Sequence, residues 1–407
     1  MNILYINHYA GSPEMGMEFR PYYLAREWVK SGYNVRIIAG DFSHLRLHNP
    51  SVTEDMQEEI IDGINYTWLR TGVYEGNGVS RALTMFRFVH KLRKKAKWIA
   101  DNWSPDVIIT SSTYPLDTYA GQKIRKYSKA ILIHEVHDMW PITLIEIGGM
   151  KKHNPFVMMM QAAENSFCKQ SDYVVSLLCA AKDYFIQHGM RAEKFKVVTN
   201  GIVIDEWDES TPMPPEHENL LHKLKQENKF IICFFGSITK SYAIEHLIKA
   251  HQKIKNENTA VIIVGEGNQK EALMSLSAER VYFLPRMPKA AIPTLLNQVD
   301  SCYVGALRND MFRFGISMNK LFDSMMSGKP ILYAVEAPNN YVKEYNCGVS
   351  VKAEDIDALA EGINQLLGMT EAERIQLGQN GRNAVLENFV YEKLAGKFSE
   401  LFREDAP

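Results

Sequence analysis

Residues 314–330 read Phe-Gly-Ile-Ser-Met-Asn-Lys-Leu-Phe-Asp-Ser-Met-Met-Ser-Gly-Lys-Pro, and this stretch says most about the fold of the chain. A turn of small and polar residues with one lysine precedes an apolar helix, and an apolar strand over 330–335 follows. Free backbone N–H groups and the helix dipole favour an anion at such a helix start. Asp323 lies in the first turns, where a carboxylate can accept both hydroxyls of a ribose. The stretch predicts an α/β domain that binds a phosphate-bearing ligand such as a sugar nucleotide; an ordinary buried helix is the alternative.

The length and composition are those of a globular protein with more than one domain. The chain has 407 residues, too many for one hydrophobic core, with 46% apolar and 23% charged residues. A net charge of -2 gives no sign of nucleic-acid binding. No run approaches the roughly 20 apolar residues of a membrane span, and residues 1–7 read as a strand without the basic region of a signal peptide. Five cysteines, an odd number, lie mostly in apolar runs, so we expect a protein of the reducing cytoplasm.

Two successive α/β alternations divide the chain. In the first half, helical stretches alternate with expected strands at 3–7, 35–40, 66–70, 107–111, 131–136, 173–177 and 196–199. The pattern breaks near Asn200-Gly201, and three prolines follow between 208 and 219. The second alternation has expected strands at 230–235, 260–264, 281–284, 301–307, 331–335 and 349–351. Continuous apolar runs are typical of parallel sheets covered on both faces. The sequence therefore predicts two Rossmann-like, doubly wound α/β domains facing a cleft.

The 314–330 stretch resembles the donor-binding helix of glycosyltransferase family 4, whose members are retaining enzymes with the GT-B fold. A common branch of the family reads S-P-x-K-x-x-E-Y-x-A-x-G-K-P, and this chain follows it at Ser317, Lys320 and the closing Gly-Lys-Pro. Asp323 takes the place of the second Glu in the family's Glu-x7-Glu motif, and Gly315 takes that of the first. The resemblance implies that the nucleotide sugar donor is held by Gly315, Ser317, Asn319, Lys320 and Asp323.

The resemblance covers nearly the whole chain and implies a division into domains. Residues 1–200 are expected to form an acceptor-binding domain, and residues 201–385 a donor-binding domain. Residues 386–407 contain an amphipathic helix, expected at 391–403. In the family such a helix crosses back onto the N-terminal domain.

A glycine turn after the strand at 230–235 is a second candidate for binding the donor. Gly236 allows the backbone to approach a phosphate closely. Family members usually carry an Arg and then a Lys in this loop, both contacting the pyrophosphate; here Ser237 is at the first place and Tyr242 near the second. Lys240 is the cation that remains, and we expect it to stabilise the departing phosphate. An ordinary β–α turn with a solvated lysine is an equally good interpretation.

Two further loops of the second half match the family's donor site. Glu266 lies in Gly265-Glu266-Gly267, where the family has a Gly-x-Gly turn close to the nucleoside. Another family loop holds the base, and Arg286 in this chain can stack on a pyrimidine as guanidinium planes do. A tight turn and a solvent-exposed arginine are the alternative interpretations.

The N-terminal half contains two loops that are candidates for binding the acceptor. Gly16-Met17 stands where the family has a Gly-Gly pair over the donor phosphates and the acceptor, and Arg20 opens a run similar to that of bacterial polysaccharide-type members. The second loop, Glu135-Val136-His137-Asp138-Met139-Trp140-Pro141, resembles the E-V-R-D-L-W-P signature of the same branch. The resemblance implies acceptor contacts from Gly16, Met17, Arg20 and Glu135.

Catalytic roles are expected for His137 and Asp138 in the second of these loops. In many relatives a histidine near this strand end faces the donor sugar, and His134 competes with His137 for that place. Asp138 is expected to bind an acceptor hydroxyl. The alternative role of Asp138 is to cap the helix that follows.

Residues 79–99 combine cations with apolar side chains and contain no acid. The seven cations are Arg81, Arg87, Lys91, Arg93, Lys94, Lys95 and Lys97. A basic amphipathic helix can bind an anionic bilayer, and each cation near the surface contributes about 1 kcal/mol. This pattern predicts peripheral contact with the inner face of the membrane. A core-packed helix with one solvated basic face is the alternative.

No motif indicates a metal or another cofactor. Asp355-Ile356-Asp357 is the single Asp-x-Asp of the chain, and its carboxylates fit a helix N-terminus better than a metal site. No His/Cys cluster has the spacing of metal ligands, and neither a Walker loop nor a Gly-x-Ser-x-Gly elbow occurs. We therefore expect a reaction that requires no metal.

The resemblance implies a retaining glycosyltransferase that moves a hexose or N-acetylhexosamine from a nucleotide-diphosphate sugar, with UDP favoured, to a saccharide acceptor. The acceptor is expected to be lipid-linked, for example to undecaprenyl pyrophosphate, in bacterial surface polysaccharide synthesis. One alternative is a GT-B nucleotide-sugar 2-epimerase, for which the available acids are Glu135, Asp138 and Glu266. The other is a non-enzymatic scaffold with a degraded donor site, which the residues at 17, 237 and 315 favour.

Overall fold

The computed structural model describes residues 1–16, 19–276 and 279–403 and divides the chain into two compact units. Unit 1 comprises Met1–Thr199 together with the C-terminal residues from Tyr391 onward. Unit 2 comprises Asn200–Val390. The chain therefore enters unit 2 at the Asn200-Gly201 pair, where the sequence pattern breaks.

Unit 1 is built on an eight-stranded sheet with the order β3-β4-β2-β1-β5-β6-β7-β8. Neighbouring strands are parallel except for β3, which pairs antiparallel with β4. The order reverses between β1 and β5, so the carboxyl ends of these two strands form the switch point. The strands are β1 (Asn2–Ile6), β2 (Asn34–Gly40), β3 (Gln57–Ile61), β4 (Ile64–Leu69), β5 (Val107–Thr110), β6 (Ile131–Val136), β7 (Tyr173–Ser176) and β8 (Phe195–Val197).

The antiparallel strand β3 was not predicted. Its sequence, Gln-Glu-Glu-Ile-Ile, carries two acids and is largely exposed, as suits an edge strand. The hairpin signal was nevertheless present: Asp62-Gly63 joins β3 to β4 with φ of +50° and +79°, and Asp-Gly is a favoured pair for a two-residue turn.

Helices cover the sheet of unit 1, and the longest of them is anchored by an apolar stripe. Phe88, Leu92 and Ile99 lie one or two turns apart on α2 and are fully buried in the core. The helices are α1 (Phe19–Lys30), α2 (Val79–Trp103), α3 (Thr118–Ser128), α4 (Ile142–Glu146), α5 (Pro155–Gln170) and α6 (Lys182–Gln187).

Unit 2 is built on a six-stranded, fully parallel sheet with the order β11-β10-β9-β12-β13-β14. The strands are β9 (Phe230–Phe235), β10 (Thr259–Val264), β11 (Val281–Leu284), β12 (Ser301–Gly305), β13 (Ile331–Ala334) and β14 (Gly348–Ser350). The order reverses between β9 and β12, which marks the carboxyl end of β9 as the place where ligands bind in such sheets.

Apart from the first two, which precede β9, the helices of unit 2 connect its parallel strands or follow the last of them. Every residue of β10 is buried, because helices pack on both faces of the sheet. The helices are α7 (Ile204–Asp208), α8 (Pro215–Gln226), α9 (Ile244–Gln252), α10 (Lys270–Leu276), α11 (Ile292–Asn297), α12 (Asn319–Met326), α13 (Tyr341–Glu344), α14 (Ile356–Gly368) and α15 (Glu371–Asn388).

The last helix, α16 (Tyr391–Ser399), packs against α1 in unit 1. The indole N–H of Trp28 donates to the carbonyl of Ala395 at 3.0 Å. The same indole contacts Phe398 and Phe402, with ring centres 5.3 Å away in each case. Trp28 is only 1% exposed, so the C-terminal segment completes the core around α1.

Candidate active site

The loops after β9 and β10 are locked together at the carboxyl edge of the unit 2 sheet. The Ile238 N–H donates to the carbonyl of Glu266 at 2.8 Å. Gly236 has a φ of +120°, and a Cβ added at Gly265 would lie 1.9 Å from the Gly236 carbonyl oxygen. Only glycine allows the two backbones to approach this closely. The sequence-predicted Gly236 and Glu266 are thus brought together through their backbones.

The turn before α12 is clamped by two asparagines. The Asn339 side chain, 8% exposed, accepts from the Ile316 N–H at 2.9 Å and donates to the Ile316 carbonyl at 2.7 Å. The Asn200 amide donates to the carbonyl of Ser317 at 2.9 Å, and the Ser317 hydroxyl accepts from the Asn200 backbone N–H at 2.8 Å. Gly315 opens the turn with a φ of +101°. These contacts fix the start of α12.

Lys320 lies in the first turn of α12 with its ammonium group buried and without a hydrogen-bond partner. The ammonium is 3.3 Å from the centre of the Tyr242 ring and 4.2 Å from that of Phe234. A Cβ at Gly236 would be 3.2 Å from Nζ, so the cation lies directly beside the glycine turn. Burial lowers the pKa of Lys320 to about 7.

Asp323 follows one turn later on α12. In the described part of unit 2 its carboxylate accepts no hydrogen bond, and burial raises its pKa to about 6. Lys289 and Glu206 pair with each other nearby at 2.7 Å, and their charges act on the Asp323 carboxyl in opposite directions. Asp323 is therefore an acceptor that the chain itself leaves unused.

The backbone at the start of α12 adds donors to this arrangement. Met318 stands at the N-cap and provides no side-chain cap, so the first N–H groups of the helix lack a side-chain acceptor there. Asn319 is exposed at the first position of the helix. The free N–H groups, the Lys320 ammonium and the Gly236 backbone are the kind of donors that hold a phosphate, while a carboxylate such as Asp323 can accept hydroxyls.

The three remaining donor-site candidates have different surroundings. Glu266 is exposed and pairs with Lys270 at 2.7 Å, and this contact lowers the pKa of Glu266. Lys240 is exposed at the start of the short helix Lys240–Tyr242. Arg286 is exposed after β11. None of the three side chains contacts Lys320 or Asp323 among the hydrogen bonds and ion pairs of the described residues.

In unit 1, Arg20 and Glu135 are brought together as a buried ion pair. The closest guanidinium nitrogen is 2.8 Å from the carboxylate, and the side chains are 5% and 0% exposed. Arg20 also donates to the carbonyls of Val198 and Thr199. Burial opposes ionisation of Glu135, but Arg20 and His137 nevertheless hold its pKa well below the usual range. Arg20 and Glu135, which were both expected to bind the acceptor, thus use their charges within unit 1.

His137 extends this network toward solvent. Its Nε2 lies 2.7 Å from the Ser111 hydroxyl and 3.0 Å from the Glu135 carboxylate, and its side chain is 12% exposed. His134, by contrast, is buried and stacks on Phe167 at 3.8 Å between ring centres, and burial lowers its pKa to about 3. Of the two competing histidines, His137 is the one that reaches the end of the sheet.

The carboxylate of Asp138 is occupied by hydrogen bonds from the residues that follow it. Its carboxylate accepts from the Met139 N–H at 2.8 Å, the Trp140 indole at 3.1 Å and the Thr143 hydroxyl at 2.9 Å. The helix that follows, α4, has Pro141 at its N-cap and no side-chain cap, so these bonds occupy Asp138 without capping that helix.

Gly16 is buried after the first strand with a φ of +71°, and a Cβ there would lie 2.9 Å from Cγ of Leu47. Glycine is required at this position both by the backbone and by the close neighbour. The other residue of the expected pair, Met17, lies outside the described residues.

Comparison with known proteins identifies the family of the chain. Residues 15–206 match the family model described as Glycosyltransferase Family 4, and residues 217–384 match Glycosyl transferases group 1. The chain belongs to glycosyltransferase family 4. Two relatives of this family 4 member are WbjE of Pseudomonas aeruginosa, named as a glycosyltransferase, and WcaI of Escherichia coli, named for colanic acid biosynthesis. They are 26% and 23% identical, covering 80% and 65% of this chain and 80% and 67% of theirs.

The family 4 chain also has the fold of solved GT-B structures. The Anabaena protein HepE in complex with UDP superposes with a TM-score of 0.67 at 18% sequence identity, covering 98% of this chain and 99% of the other. At that identity the likeness shows the fold alone. The predicted GT-B fold with two α/β domains is confirmed.

Helix α2 of this glycosyltransferase divides its cations into two groups. Arg81, Arg87 and Lys91 bind Tyr9, the Thr71 carbonyl and Asp55 of their own unit. The other four are exposed: Arg93, Lys94, Lys95 and Lys97. Together with the buried apolar stripe, this describes a core-packed helix with a basic outer face, on which Trp98 is also 42% exposed.

Two absences complete the description of the glycosyltransferase. In residues 1–16, 19–276 and 279–403, no helix has both the length and the apolar content needed to cross a membrane. The same residues contain no group of three or more His, Cys, Asp or Glu side chains arranged to hold a metal ion.

Two features of the site were not found from the sequence. Asn339 clamps the α12 turn from 23 residues further along the chain, and no local pattern marks it. Tyr242 was noted only as a replacement for a family lysine, whereas the structure puts its ring against Lys320. For Tyr242, the sequence signal was an aromatic residue close to the Gly236 turn, which lies beside α12.

Proposed function

We propose that this family 4 member is a retaining glycosyltransferase that uses a nucleotide-diphosphate sugar, with UDP as the favoured nucleotide. The observation that carries the proposal is the pair of unused charged groups on α12: the Lys320 ammonium and the Asp323 carboxylate both lack a hydrogen-bond partner in the described chain. A buried ammonium without a partner is costly in a folded protein, and a ligand that accepts its hydrogen bonds removes that cost. A neighbour in fold, HepE, is described in complex with UDP, which supports the choice of nucleotide.

The diphosphate would bind between the Gly236 turn and the start of α12. There it would receive hydrogen bonds from the Lys320 ammonium and from the free N–H groups of the helix. Asp323, one turn away, would accept the two ribose hydroxyls. As the bond to the sugar breaks, negative charge grows on the phosphate, and donors already fixed in place stabilise that charge most effectively. Exposed Lys240 would add a further cation at the edge of the site.

On the acceptor side, His137 is the residue best placed to contact a ligand, because Glu135 and Ser111 fix its ring and its side chain reaches solvent. Arg20 and Glu135 would act by holding this ring, since their charges are used within the unit. No enzyme nucleophile is assigned. In the proposed retaining reaction, the departing phosphate takes the proton of the acceptor hydroxyl.

The proposed acceptor is a lipid-linked saccharide of bacterial surface polysaccharide synthesis, such as one carried on undecaprenyl pyrophosphate. The name of the relative WcaI, which refers to colanic acid biosynthesis, supports a role in polysaccharide assembly. The exposed cations of α2 support contact with an anionic membrane surface, where such an acceptor is held.

The epimerase alternative receives less support from the geometry. It needs acids that are free to act on the sugar. Glu135 is paired with Arg20, Asp138 accepts from Met139, Trp140 and Thr143, and Glu266 is paired with Lys270. The transferase proposal therefore remains the better account of the site.

The test is a calorimetric titration of the protein with UDP-, GDP- and ADP-sugars, followed by an assay of nucleotide release in the presence of saccharide acceptors. We expect micromolar binding of one nucleotide class and acceptor-dependent release of the nucleoside diphosphate. Failure of all three classes to bind would contradict the proposal. Binding without turnover on any acceptor would favour the scaffold alternative.

A further inference from the structure

The Lys320 ammonium has an unusual set of neighbours for a buried cation. Its polar donors are unused, and its closest contacts are the faces of the Tyr242 and Phe234 rings at 3.3 and 4.2 Å. A cation over an aromatic ring is attracted by the negative face of the ring. The rings therefore replace part of the hydration that Lys320 has lost, while all three of its N–H donors stay available.

The Tyr242 ring is held in this position by its own segment. Tyr242 ends the short helix Lys240–Tyr242, and Ala243 follows it with a φ of +52°, which turns the chain into α9. The ring packs 5.9 Å from the ring of Phe234, which is fully buried in β9. Burial raises the pKa of Tyr242, so its hydroxyl stays neutral and provides no counter-charge for the lysine.

Other charged groups on the surrounding elements do not neutralise Lys320. On its own helix, Asp323 lies one turn away and makes no ion pair with it among the described residues. In the loop after β9, Lys240 is exposed and carries the same charge. Strand β9 contributes the uncharged Phe234, and Gly236 contributes only backbone at the place nearest to the ammonium.

We propose that the rings of Tyr242 and Phe234 hold the Lys320 ammonium at rest and release it to the phosphates of an arriving nucleoside diphosphate. Tyr242 is then a positioning residue for the donor site, because it keeps the cation partly dehydrated and beside the Gly236 turn. The exchange of partners is favourable because charge-assisted hydrogen bonds to phosphate are stronger than contacts to a ring face. Only the identity of the ligand, a nucleoside diphosphate, rests on the proposed function.

A consequence is that ligand binding takes up a proton. Burial lowers the pKa of Lys320 to about 7 in the free protein. A bound diphosphate would favour the charged form and return the pKa toward its ordinary value of about 10.4. Below pH 7 the rings hold the charged ammonium, whereas above pH 7 the free protein carries mostly the neutral amine. That amine must be protonated as the ligand binds, so affinity falls as the pH rises.

The first experiment measures the pKa of Lys320 directly, by NMR of protein labelled with ¹⁵N-lysine. The signal is assigned by its loss in Lys320→Arg. In the free wild type we expect a titration near 7. In Tyr242→Ser, which opens the ammonium to water, we expect a rise of at least about 2 pH units. Tyr242→Phe keeps the ring and serves as the matched control, with a titration close to that of the wild type.

The second experiment follows UDP affinity from pH 7.5 to 8.5, a range in which the diphosphate is ionised and the uracil N3–H stays largely protonated. For the wild type we expect about an eightfold loss of affinity with uptake of close to one proton. Tyr242→Ser should show almost no pH dependence and no proton uptake, and Tyr242→Phe should behave like the wild type. If Tyr242→Ser does not fold, the Lys320 pKa of the wild type with and without UDP decides the question.

The inference is overturned if Lys320 of the free wild type titrates near 10, or if Tyr242→Phe and Tyr242→Ser shift it equally. These outcomes are separable from failure of the proposed function. If UDP, GDP and ADP all fail to bind, the donor assignment fails, whereas the pKa of Lys320 in the free wild type and in the two Tyr242 variants still decides whether the rings hold the cation.

Discussion

Lys320 and Asp323 are one turn apart on α12, carry opposite charges, and form no ion pair with each other in the described chain. Opposite charges at this spacing commonly attract each other on a helix. Here the lysine turns to the Tyr242 ring, and the carboxylate is left without a donor. The helix therefore presents a cation and an anion side by side to a ligand that needs both, as a nucleoside diphosphate does.

Replacing Asp323 should weaken nucleotide binding. Two hydrogen bonds from a ribose to a carboxylate are at stake, each contributing about 1.5–3 kcal/mol. Asp323→Ala should reduce affinity for the preferred nucleotide at least about tenfold, with an unchanged Tm, as measured by calorimetric titration and thermal unfolding. Asp357→Ala, an exposed acid on α14, is the matched control. Equal affinity of a folded Asp323→Ala and the wild type would remove Asp323 from the site.

Breaking the buried pair in unit 1 should cost stability. Removing one partner of a buried ion pair leaves an uncompensated charge, at a cost of about 3–5 kcal/mol. Glu135→Ala should lower the free energy of unfolding of unit 1 by this amount, measured by denaturant titration. Exposed Glu193→Ala is the control. A fully stable Glu135→Ala with a raised acceptor KM would instead favour direct contact between Glu135 and the acceptor.

Glu164 should make the stability of unit 1 depend on pH. Burial raises its pKa to about 8, since one carboxylate oxygen lacks a partner and the Gln161 and Tyr184 contacts only partly offset the burial. The raised pKa of Glu164 stabilises the folded state as long as the carboxyl is protonated. This stabilisation is fully present below about pH 4, near the pKa of the unfolded chain. It is lost as the pH rises through about 8, the pKa in the folded protein. Glu164→Gln, which cannot ionise, should flatten this loss and exceed the wild-type Tm at pH 8.5 by a few degrees, about 2–4 °C per kcal/mol. If the Tm curves of Glu164→Gln and the wild type run parallel from pH 5 to 9, the prediction for Glu164 is wrong.

Turnover should not depend on a divalent metal ion. The Lys320 ammonium and the α12 N–H groups are positioned to neutralise the phosphates, a task that a metal performs in other transferases. Activity with the preferred donor should therefore survive treatment with EDTA, measured as release of the nucleoside diphosphate. Complete loss of activity that manganese restores would show that the charge of these groups is insufficient.

Binding to anionic vesicles should depend on the basic face of α2. Charge attraction is screened by salt, with a Debye length near 10 Å at 0.1 M, so sedimentation with vesicles should decrease steeply as salt rises. Serine at Arg93, Lys94, Lys95 and Lys97 should remove most of the binding and leave turnover on a short soluble acceptor almost unchanged. Four exposed lysines of unit 2 provide the control when changed to serine, namely Lys223, Lys255, Lys343 and Lys352. If both quadruple variants sediment like the wild type, the basic face of α2 does not bind membranes.

The parallel strands could be predicted from the sequence because each is a short, continuous apolar run covered on both faces. Strand β3 could not, since its acids fit an exposed edge and only the Asp62-Gly63 turn reveals it. Asp323 and Lys320 could be named as donor-site candidates because they share one local motif. The Tyr242 contact and the Arg20–Glu135 pair were missed because they join residues 78 and 115 positions apart, which no local pattern records.

The return of the chain to unit 1 at Tyr391 makes unit 1 discontinuous in sequence and leaves unit 2 continuous. Residues 200–390 form unit 2 as one uninterrupted segment, whereas the cover of Trp28, formed by Ala395, Phe398 and Phe402, comes from beyond that segment. Domains fold as soon as their residues are available. Unit 1 therefore cannot complete its core from its N-terminal residues alone, and the indole beside α1 waits for the C-terminal segment. Premature termination near residue 390 would leave a finished unit 2 attached to an open, aggregation-prone unit 1.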